Sequence, residues 1–201
     1  MVHFVVALSC EARPLIEHFG LSPVPDEVLP TYESDNTILT VCGIGKLNAS
    51  VAVGWLQGKH GHERPNVWLN VGVCGHRNLD PGTASLAHKV TDHATKNIWN
   101  PSIVFDATCD TRNVRTVNVA EREFETEDLY EMEASGFISA ALRFSTADLV
   151  HCFKIVSDNL STDLSSLKLS DVEDLVDAHC ATISELVRQL TEVRDSLVSQ
   201  S

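Results

Sequence analysis

The sequence lacks the features that mark several large classes of protein. Its six cysteines form no CxxC pair, and its aromatic fraction is only 6%. No apolar run approaches the roughly 18 residues of a membrane-spanning helix, so we expect no membrane partner. Basic residues are scarce, since 15 Lys and Arg stand against 28 Asp and Glu, for a net charge of −13. Because such a surface repels phosphate backbones, we expect no nucleic-acid partner either.

The first residues lack the basic segment that opens a secretory signal peptide. Residues 1–8 are apolar and are soon followed by Glu11, which is typical of a first strand. Cysteines within apolar runs, such as Cys42 and Cys152, indicate small buried residues in a reducing compartment. We therefore expect a cytoplasmic protein with no cofactor and no metal site, His60-Gly61-His62 being a weak metal candidate.

The composition that remains is that of an ordinary α/β protein. With 43% hydrophobic and 21% charged residues, the chain of 201 residues is long enough to bury a sizeable core. No repeat, low-complexity block or linker divides it, so we expect one domain over residues 1–201. Apolar, β-branched runs alternate with helical patterns, which predicts a twisted, mixed central β-sheet flanked by helices.

The apolar patterns predict the individual elements. Core strands are expected at residues 2–8, 37–42, 67–73 and 149–156, and shorter meandering strands at 84–90, 98–105 and 114–119. Helices are expected at residues 11–19, 47–59 and 134–144. The second of these has Val51, Val53, Trp55 and Leu56 available for packing. After a loop over 158–169, a capping box at 170–173 predicts the start of one long final helix with an apolar stripe.

Acidic side chains follow the predicted ends of several strands. Glu133 opens an Ala-rich helix, and Asp158 follows the last core strand. In an open α/β sheet, ligands bind beyond the carboxyl ends of the strands. We therefore expect Glu133 and Asp158 to share one pocket, with one acid for a sugar hydroxyl and the other for a proton transfer.

Each of these features also has a purely structural interpretation. Asp158 would cap the following turn with Ser157 and Asn159, and glutamates near helix starts are favoured by the helix dipole. The run Gly43-Ile44-Gly45-Lys46 is neither a P-loop nor a GxGxxG motif. It predicts either a tight turn from strand to helix or backbone amides that contact a ligand oxygen.

Five motifs, taken in order, resemble those of the nucleoside phosphorylase superfamily. They are Ala7-Leu8-Ser9-Cys10-Glu11, Gly43-Ile44-Gly45-Lys46-Leu47-Asn48-Ala49, Asn70-Val71-Gly72-Val73-Cys74-Gly75, Tyr130-Glu131-Met132-Glu133-Ala134 and Val156-Ser157-Asp158. The sequence is most similar to the hydrolase branch, the 5′-methylthioadenosine/S-adenosylhomocysteine nucleosidases and futalosine hydrolases. The resemblance spans most of the chain and is weakest over residues 106–128, where no base-stacking residue is identified.

The resemblance implies an enzyme that cleaves the N-glycosidic bond of a purine nucleoside or a 5′-thio-substituted nucleoside, with water as the nucleophile. Asp158 would be the general acid that protonates the leaving base, which requires a raised carboxyl pKa. Glu11 would activate the water. Glu133 would bind the ribose hydroxyls and stabilise positive charge on the sugar, with Met132 packed against the ring.

The remaining substrate-binding residues implied by the resemblance are Glu131, Val73, Gly75, Ser157 and Lys154. Glu131 equally fits the role of a helix N-terminal acid. Two of the five depart from the family pattern. Val73 stands where a Ser usually lies near the nucleophile, and Lys154 stands where an Arg often precedes the Ser-Asp pair. Lys keeps the charge but loses the planar fork of Arg.

Two alternative functions remain open. A phosphate-dependent phosphorylase needs a pocket that is cationic and lined by hydroxyl groups. Asn70 and Val73 offer neither a positive charge nor a hydroxyl, although Arg13 or Arg77 would be able to rebuild an anion site. A catalytically weak nucleoside-binding homologue is the second alternative. The resemblance also implies a homodimer or larger homo-oligomer, and Trp55 and Trp99 are apolar candidates for its interface.

Overall fold

The computed structural model describes residues 1–60, 65–162 and 167–199, and within them ten strands form one mixed β-sheet. The strands are β1 Val2–Val6, β2 Ser22–Pro23, β3 Thr31–Glu33, β4 Thr37–Val41, β5 Val67–Gly75, β6 Ala84–Asp92, β7 Ile98–Trp99, β8 Asp110–Thr116, β9 Leu129–Glu131 and β10 Val150–Asp158. The helices are α1 Ser9–His18, α2 Lys46–His60, α3 Ala134–Ala141, α4 Leu169–Asp177 and α5 Cys180–Ser199. The predicted α/β class, with a mixed sheet and flanking helices, is confirmed.

The four predicted core strands lie side by side and parallel. β1 pairs with β4 on one side and with β5 on the other, and β5 also pairs with β10. Their apolar runs are buried on both faces, as is typical of parallel strands covered by helices. Because these strands run in the same direction, their carboxyl ends meet at one edge of the sheet.

One end of the sheet closes on itself, which the sequence did not predict. β5 pairs with β10, β10 with β6, β6 with β8, β8 with β9, and β9 again with β5. The expectation of an open sheet with meandering strands is therefore wrong in this region, since β6 and β8 are parallel neighbours. Of the run 98–105, only Ile98–Trp99 is a strand, and β8 begins in the polar residues 110–113, which pair with β6.

Two apolar layers cover the sheet. On one face α2 and α3 pack around Trp68, and on the other α1, α4 and α5 pack around Phe4 and Phe153. In α2, Val53 and Leu56 are buried, whereas Val51 faces outward and is 63% exposed, contrary to its predicted packing role.

Helices α2 and α3 cross at backbone contact distance. A Cβ atom on Gly136 would lie 1.9 Å from the carbonyl oxygen of Lys46, so no larger residue fits at the crossing. Ser50 Oγ lies 2.9 Å from the carbonyl oxygens of both Lys46 and Gly136 and donates its hydrogen between the two helices. The crossing therefore fixes the start of α3 relative to the turn that precedes α2.

The predicted long C-terminal helix is two helices, α4 and α5, with a break at residues 178–179. His179 at the break donates from Nε2 to the carbonyl oxygen of Gly82, at 2.8 Å. The predicted capping box is also misplaced. Helix α4 begins earlier, and the amide of Lys168 donates to Asp171 Oδ2 at 2.9 Å. The apolar stripe itself is confirmed by the burial of Val172, Val176, Ile183, Leu186 and Leu190.

Other boundaries shift by a few residues. α1 begins at Ser9 rather than Glu11, and β10 extends to Asp158, so only part of the loop predicted over 158–169 lies within the described residues. Within those residues, no helix combines the length and the apolar character needed to cross a bilayer.

Candidate active site

A cavity of about 170 Å³ opens at the carboxyl edge of the parallel strands. Its walls come from the ends of β1, β5, β9 and β10, from the start of α1, and from the segment that joins β8 to β9. Eight of the nine predicted site residues line it; Lys154 does not. This one cavity is lined by Glu11, Glu133 and Asp158. Their shared location was expected from the positions of the strand ends.

Glu11 joins the ends of β1 and β5 through its carboxylate. Oε2 accepts hydrogen bonds from the amides of Ala7 and Leu8, at 3.1 and 2.9 Å, and Oε1 accepts one from the amide of Val73 at 2.9 Å. A Cβ atom on Gly72 would lie 2.8 Å from Oε1, so the glycine gives the carboxylate its space. Burial raises the pKa of Glu11 even though these three amides favour its charged form.

The structural interpretation of Glu11 describes contacts that exist. The bonds to Ala7 and Leu8 tie down the backbone just before α1, which is the structural role of an acid in the first turn. Among the described residues, Oε1 accepts one hydrogen bond, and a carboxylate oxygen has room for a second.

Asp158 ends β10 with a carboxyl group that has one hydrogen-bond partner, Ser157, among the described residues. Ser157 Oγ lies 2.6 Å from Asp158 Oδ1 and 3.2 Å from the carbonyl oxygen of Cys74. The turn after β10 is capped instead by Asn159, whose Oδ1 accepts hydrogen bonds from the amide and hydroxyl of Ser161. Within the described part of this turn, the capping role predicted for Asp158 is taken by Asn159. Burial raises the pKa of Asp158, and the bond from Ser157 opposes that rise.

Glu133 is held by the glycine-rich turn that precedes α2. The amide of Gly45 donates to Glu133 Oε1 at 2.7 Å, and Gly45 itself has a φ of 109°, which favours glycine. This amide is committed to a protein carboxylate, so it does not serve as the ligand contact that the Gly43-Ile44-Gly45-Lys46 run allowed. Burial raises the pKa of Glu133 to about 7, and the nearby Glu131 carboxylate adds to that rise.

Glu131, rather than Glu133, caps helix α3. Its Oε2 accepts the amides of Glu133 and Ala134, at 2.9 and 2.8 Å, and its Oε1 accepts the hydroxyl of Thr116 at 2.6 Å. Lys154 Nζ lies 2.9 Å from the same Oε2, and the side chains of both residues are at most 1% exposed. This ion pair holds Lys154 behind the cavity wall instead of at its surface.

The sequence did not predict that the segment of residues 121–128 covers one side of the cavity. Phe124 lines the cavity, is 1% exposed and packs against Tyr130, with ring centroids 5.4 Å apart. A Cβ atom on Gly75 would lie 2.5 Å from Cζ of Phe124, so the ring lies directly against this glycine. The signal in the sequence was a single aromatic residue within a strongly charged segment, residues 121–128.

The cavity is acidic. Five acidic residues contribute to its lining, and no Lys, Arg or His of the described residues does. Arg13 instead pairs with Glu173 at 2.7 Å, and Arg77 lies 4.0 Å from Glu127. Asn70 is buried away from the cavity and donates to the carbonyl oxygen of Val5. The predicted routes to a phosphate site are therefore not built in this cavity.

No metal site is found in the part of the chain that the structure covers, where no group of three His, Cys, Asp or Glu side chains is arranged to hold an ion. The candidate His60-Gly61-His62 falls largely outside that part, because Gly61 and His62 are not described.

No protein-family model and no curated protein matches this sequence. Solved structures do match. 5′-Methylthioadenosine nucleosidase from Arabidopsis thaliana is 18% identical, with a TM-score of 0.76 over 94% of this chain and 95% of that chain. Futalosine hydrolase from Helicobacter pylori is 14% identical, with a TM-score of 0.76 over 93% and 97%.

A third structure holds a ligand. The 5′-methylthioadenosine/S-adenosylhomocysteine nucleosidase from S. pneumoniae, solved with the transition-state inhibitor MT-ImmA, is 15% identical, with a TM-score of 0.76 over 94% of this chain and 99% of that chain. At these identities the likeness establishes the fold. The chain has the fold of these nucleosidases and of futalosine hydrolase.

Proposed function

We propose that this protein hydrolyses the N-glycosidic bond of a purine nucleoside or a 5′-thio-substituted nucleoside. The observation that carries the proposal is that Glu11, Glu133 and Asp158 line one cavity while each has a different set of hydrogen-bond partners. Three carboxyl groups in three environments are suited to three separate tasks. The fold shared with nucleosidases and futalosine hydrolase supports the same reaction class.

Asp158 is the proposed general acid. Cleavage of the bond between C1′ and the base leaves negative charge on the base, which is a poor leaving group unless it accepts a proton. A carboxyl group whose pKa is raised by burial holds that proton nearer to neutral pH. Asp158 Oδ2 has no protein partner among the hydrogen bonds of the described residues, which leaves it available to the base nitrogen.

Glu11 and Glu133 act on the sugar side of the proposed reaction. Glu11 accepts a proton from water as the water oxygen bonds to C1′ and the C1′–N bond breaks, giving free base and free sugar. Glu133, with one oxygen held by Gly45, uses the other for the ribose hydroxyls and stabilises positive charge that builds on the ring. Met132 lines the cavity beside Glu133 and packs against the sugar in this arrangement.

Water is the proposed nucleophile because the cavity disfavours phosphate. A phosphate dianion entering it meets acidic side chains, and no cation of the described residues lines the wall. This charge balance makes the phosphorylase the weaker alternative.

The proposal includes a cytoplasmic homo-oligomer. The six cysteines are all free, which suits a reducing compartment. Beside the cavity mouth, Ile44, Leu47 and Val51 expose apolar side chains, which suits contact with a second copy. Trp55 and Trp99 are only half-buried and extend the choice of interface residues.

The test is a panel of purine nucleosides that includes adenosine, inosine and 5′-methylthioadenosine, incubated with and without phosphate, with the released base measured. Release without phosphate supports the hydrolase, whereas strict dependence on phosphate would identify a phosphorylase. Binding without release would identify a nucleoside-binding protein. Glu11→Gln should abolish release, and the matched control Glu17→Gln, on the exposed side of the same helix, should not.

A further inference from the structure

Lys154 is a cation buried behind the wall of an acidic cavity. Its side chain is 1% exposed, and its Nζ lies 2.9 Å from Oε2 of Glu131, whose side chain is fully buried. Taking two charges out of water costs free energy, and a buried ion pair often gives no more stability than apolar side chains of similar volume. Stability alone is therefore a weak reason for a charged pair at this place.

Glu131 connects Lys154 to the backbone of the site. The same Oε2 that contacts Lys154 accepts the amides of Glu133 and Ala134, while Oε1 accepts the hydroxyl of Thr116. The amide of Glu133 is thus fixed by an oxygen that Lys154 also contacts. A displaced Glu131 would release the backbone of Glu133, the residue just before α3, and with it the carboxylate that Gly45 holds.

Lys154 also balances the charge of this wall. Its positive charge lowers the pKa of both Glu11 and Glu133, against the effect of their burial. Burial alone would lower the pKa of Lys154 itself, but the neighbouring acids, Glu131 first, raise it above its ordinary value. The titratable groups that interact with Lys154 are Glu11 from α1, Cys42 after β4, Cys74 from β5, Glu131 and Glu133 from the junction of β9 and α3, and Cys152 from its own strand.

We propose that Lys154 is a positioning residue and not a substrate ligand. Through Glu131 it fixes the backbone that carries Glu133, and it supplies a positive charge behind the wall to which both Glu11 and Glu133 belong. The charge arrangement stands on two contacts: Lys154 pairs with Glu131 at 2.9 Å, and in the sheet it lies opposite Gly72, against which Oε1 of Glu11 packs. Its consequence for catalysis rests on the proposed function.

The first experiment needs no substrate. Protein labelled with ¹³C at the glutamate carboxyl carbon is titrated by NMR, with the signals of Glu11 and Glu133 assigned from Glu11→Gln and Glu133→Gln. In Lys154→Met, both groups should titrate at a pH higher by about one unit or more, because the opposite charge is lost. Lys154→Arg is the matched control, and both groups should then stay within about 0.3 unit of the wild type.

Lys154→Met leaves Glu131 buried without its partner and risks failing to fold. The double variant Lys154→Met/Glu131→Gln removes both charges and leaves a Gln oxygen that still accepts the two amides. In it Glu11 should still titrate at higher pH, because it has lost an attractive charge. Glu133, which has lost an attractive and a repulsive charge together, should move less than Glu11. Unchanged titration of Glu11 in a folded variant would overturn the proposal.

The catalytic consequence is read from the pH profile of kcat/KM. In the double variant the acidic limb should move to higher pH, in step with the titration of Glu11, and Lys154→Arg should keep the wild-type limb. If the carboxyl titrations move as stated but the wild-type protein cleaves no nucleoside, the positioning role stands and the proposed function fails. If nucleosides are cleaved but the titrations and the limb stay fixed, the proposed function stands and the positioning role fails.

Discussion

The ring of Phe124 lies against Gly75 so closely that a Cβ atom at position 75 would be 2.5 Å from the ring carbon Cζ. The same Cβ would be 3.0 Å from Oδ2 of Asp158, so this glycine separates the roof of the cavity from the proposed acid. Phe124 reaches this place with a φ of 35°, a conformation uncommon for an aromatic residue. Strain of this kind is frequent at functional sites.

Gly75→Ala should therefore disturb both stability and activity. The added methyl group forces the Phe124 ring or Asp158 to move, which should cost about 1–3 kcal/mol of unfolding free energy. Denaturant unfolding and base release measure the two effects. The control is Gly54→Ala in α2, where a Cβ meets nothing within 4 Å and a helical alanine should be neutral or stabilising.

A second substitution separates the contact with Phe124 from other effects at position 75. Gly75→Ala/Phe124→Leu should recover most of the lost stability, because the shorter side chain leaves room for the methyl group. If the double variant is as unstable as Gly75→Ala alone, then Phe124 is not the group that the methyl displaces, and the roof is arranged differently.

The role of Asp158 is tested by Asp158→Asn. The amide has the same shape but no transferable carboxyl proton, so kcat should fall by at least about 10²-fold. Release of base under saturating nucleoside measures it. The exposed Asp106→Asn is the matched control. Near-wild-type activity of Asp158→Asn would remove this residue from the mechanism.

The residues placed at the strand ends were the part of the site that could be predicted from the sequence. Apolar runs identify β1, β5 and β10, and parallel strands bring their carboxyl ends to one edge, where Glu11 and Asp158 follow in the chain. Continuous apolar runs were sufficient for this step, because these strands are buried on both faces.

Contacts that depend on tertiary packing were not predictable. The closure between β6 and β8 uses the polar residues 110–113, whose strand conformation is stabilised by ladder hydrogen bonds and not by apolar patterning. The partner of Lys154 is Glu131, from an element distant in sequence, and no local pattern pairs them. Phe124 reaches the cavity only because residue 75 has no side chain.

The hydroxyl of Ser157 should set the alkaline limit of activity. Its 2.6 Å bond to Asp158 Oδ1 stabilises the carboxylate and lowers the pKa of Asp158, whereas burial raises it. The proposed acid works when protonated, so activity falls as pH rises through this pKa. Ser157→Ala removes the lowering effect, and the alkaline limb of the kcat/KM profile should move to higher pH by up to about one unit.

The control for this measurement is Ser161→Ala, because the Ser161 hydroxyl bonds to Asn159 and not to Asp158. Its alkaline limb should coincide with that of the wild type. A limb that stays fixed or moves to lower pH in Ser157→Ala would show that Asp158 is not the group whose deprotonation ends activity.

The apolar patch of Ile44, Leu47 and Val51 should mediate self-association. Leu47 is 77% exposed, and Ile44 both belongs to the patch and lines the cavity, so a second copy seated there would adjoin the mouth. Leu47→Glu should weaken the dimer by about 10–100-fold in dissociation constant, since burying a leucine is worth about 1.5–3 kcal/mol.

Sedimentation velocity over a concentration series measures this change in the dissociation constant. The control is Leu169→Glu, because Leu169 is 69% exposed on α4. A wild-type protein that sediments as a monomer, or a Leu47→Glu variant that associates as the wild type does, would exclude this patch as the interface.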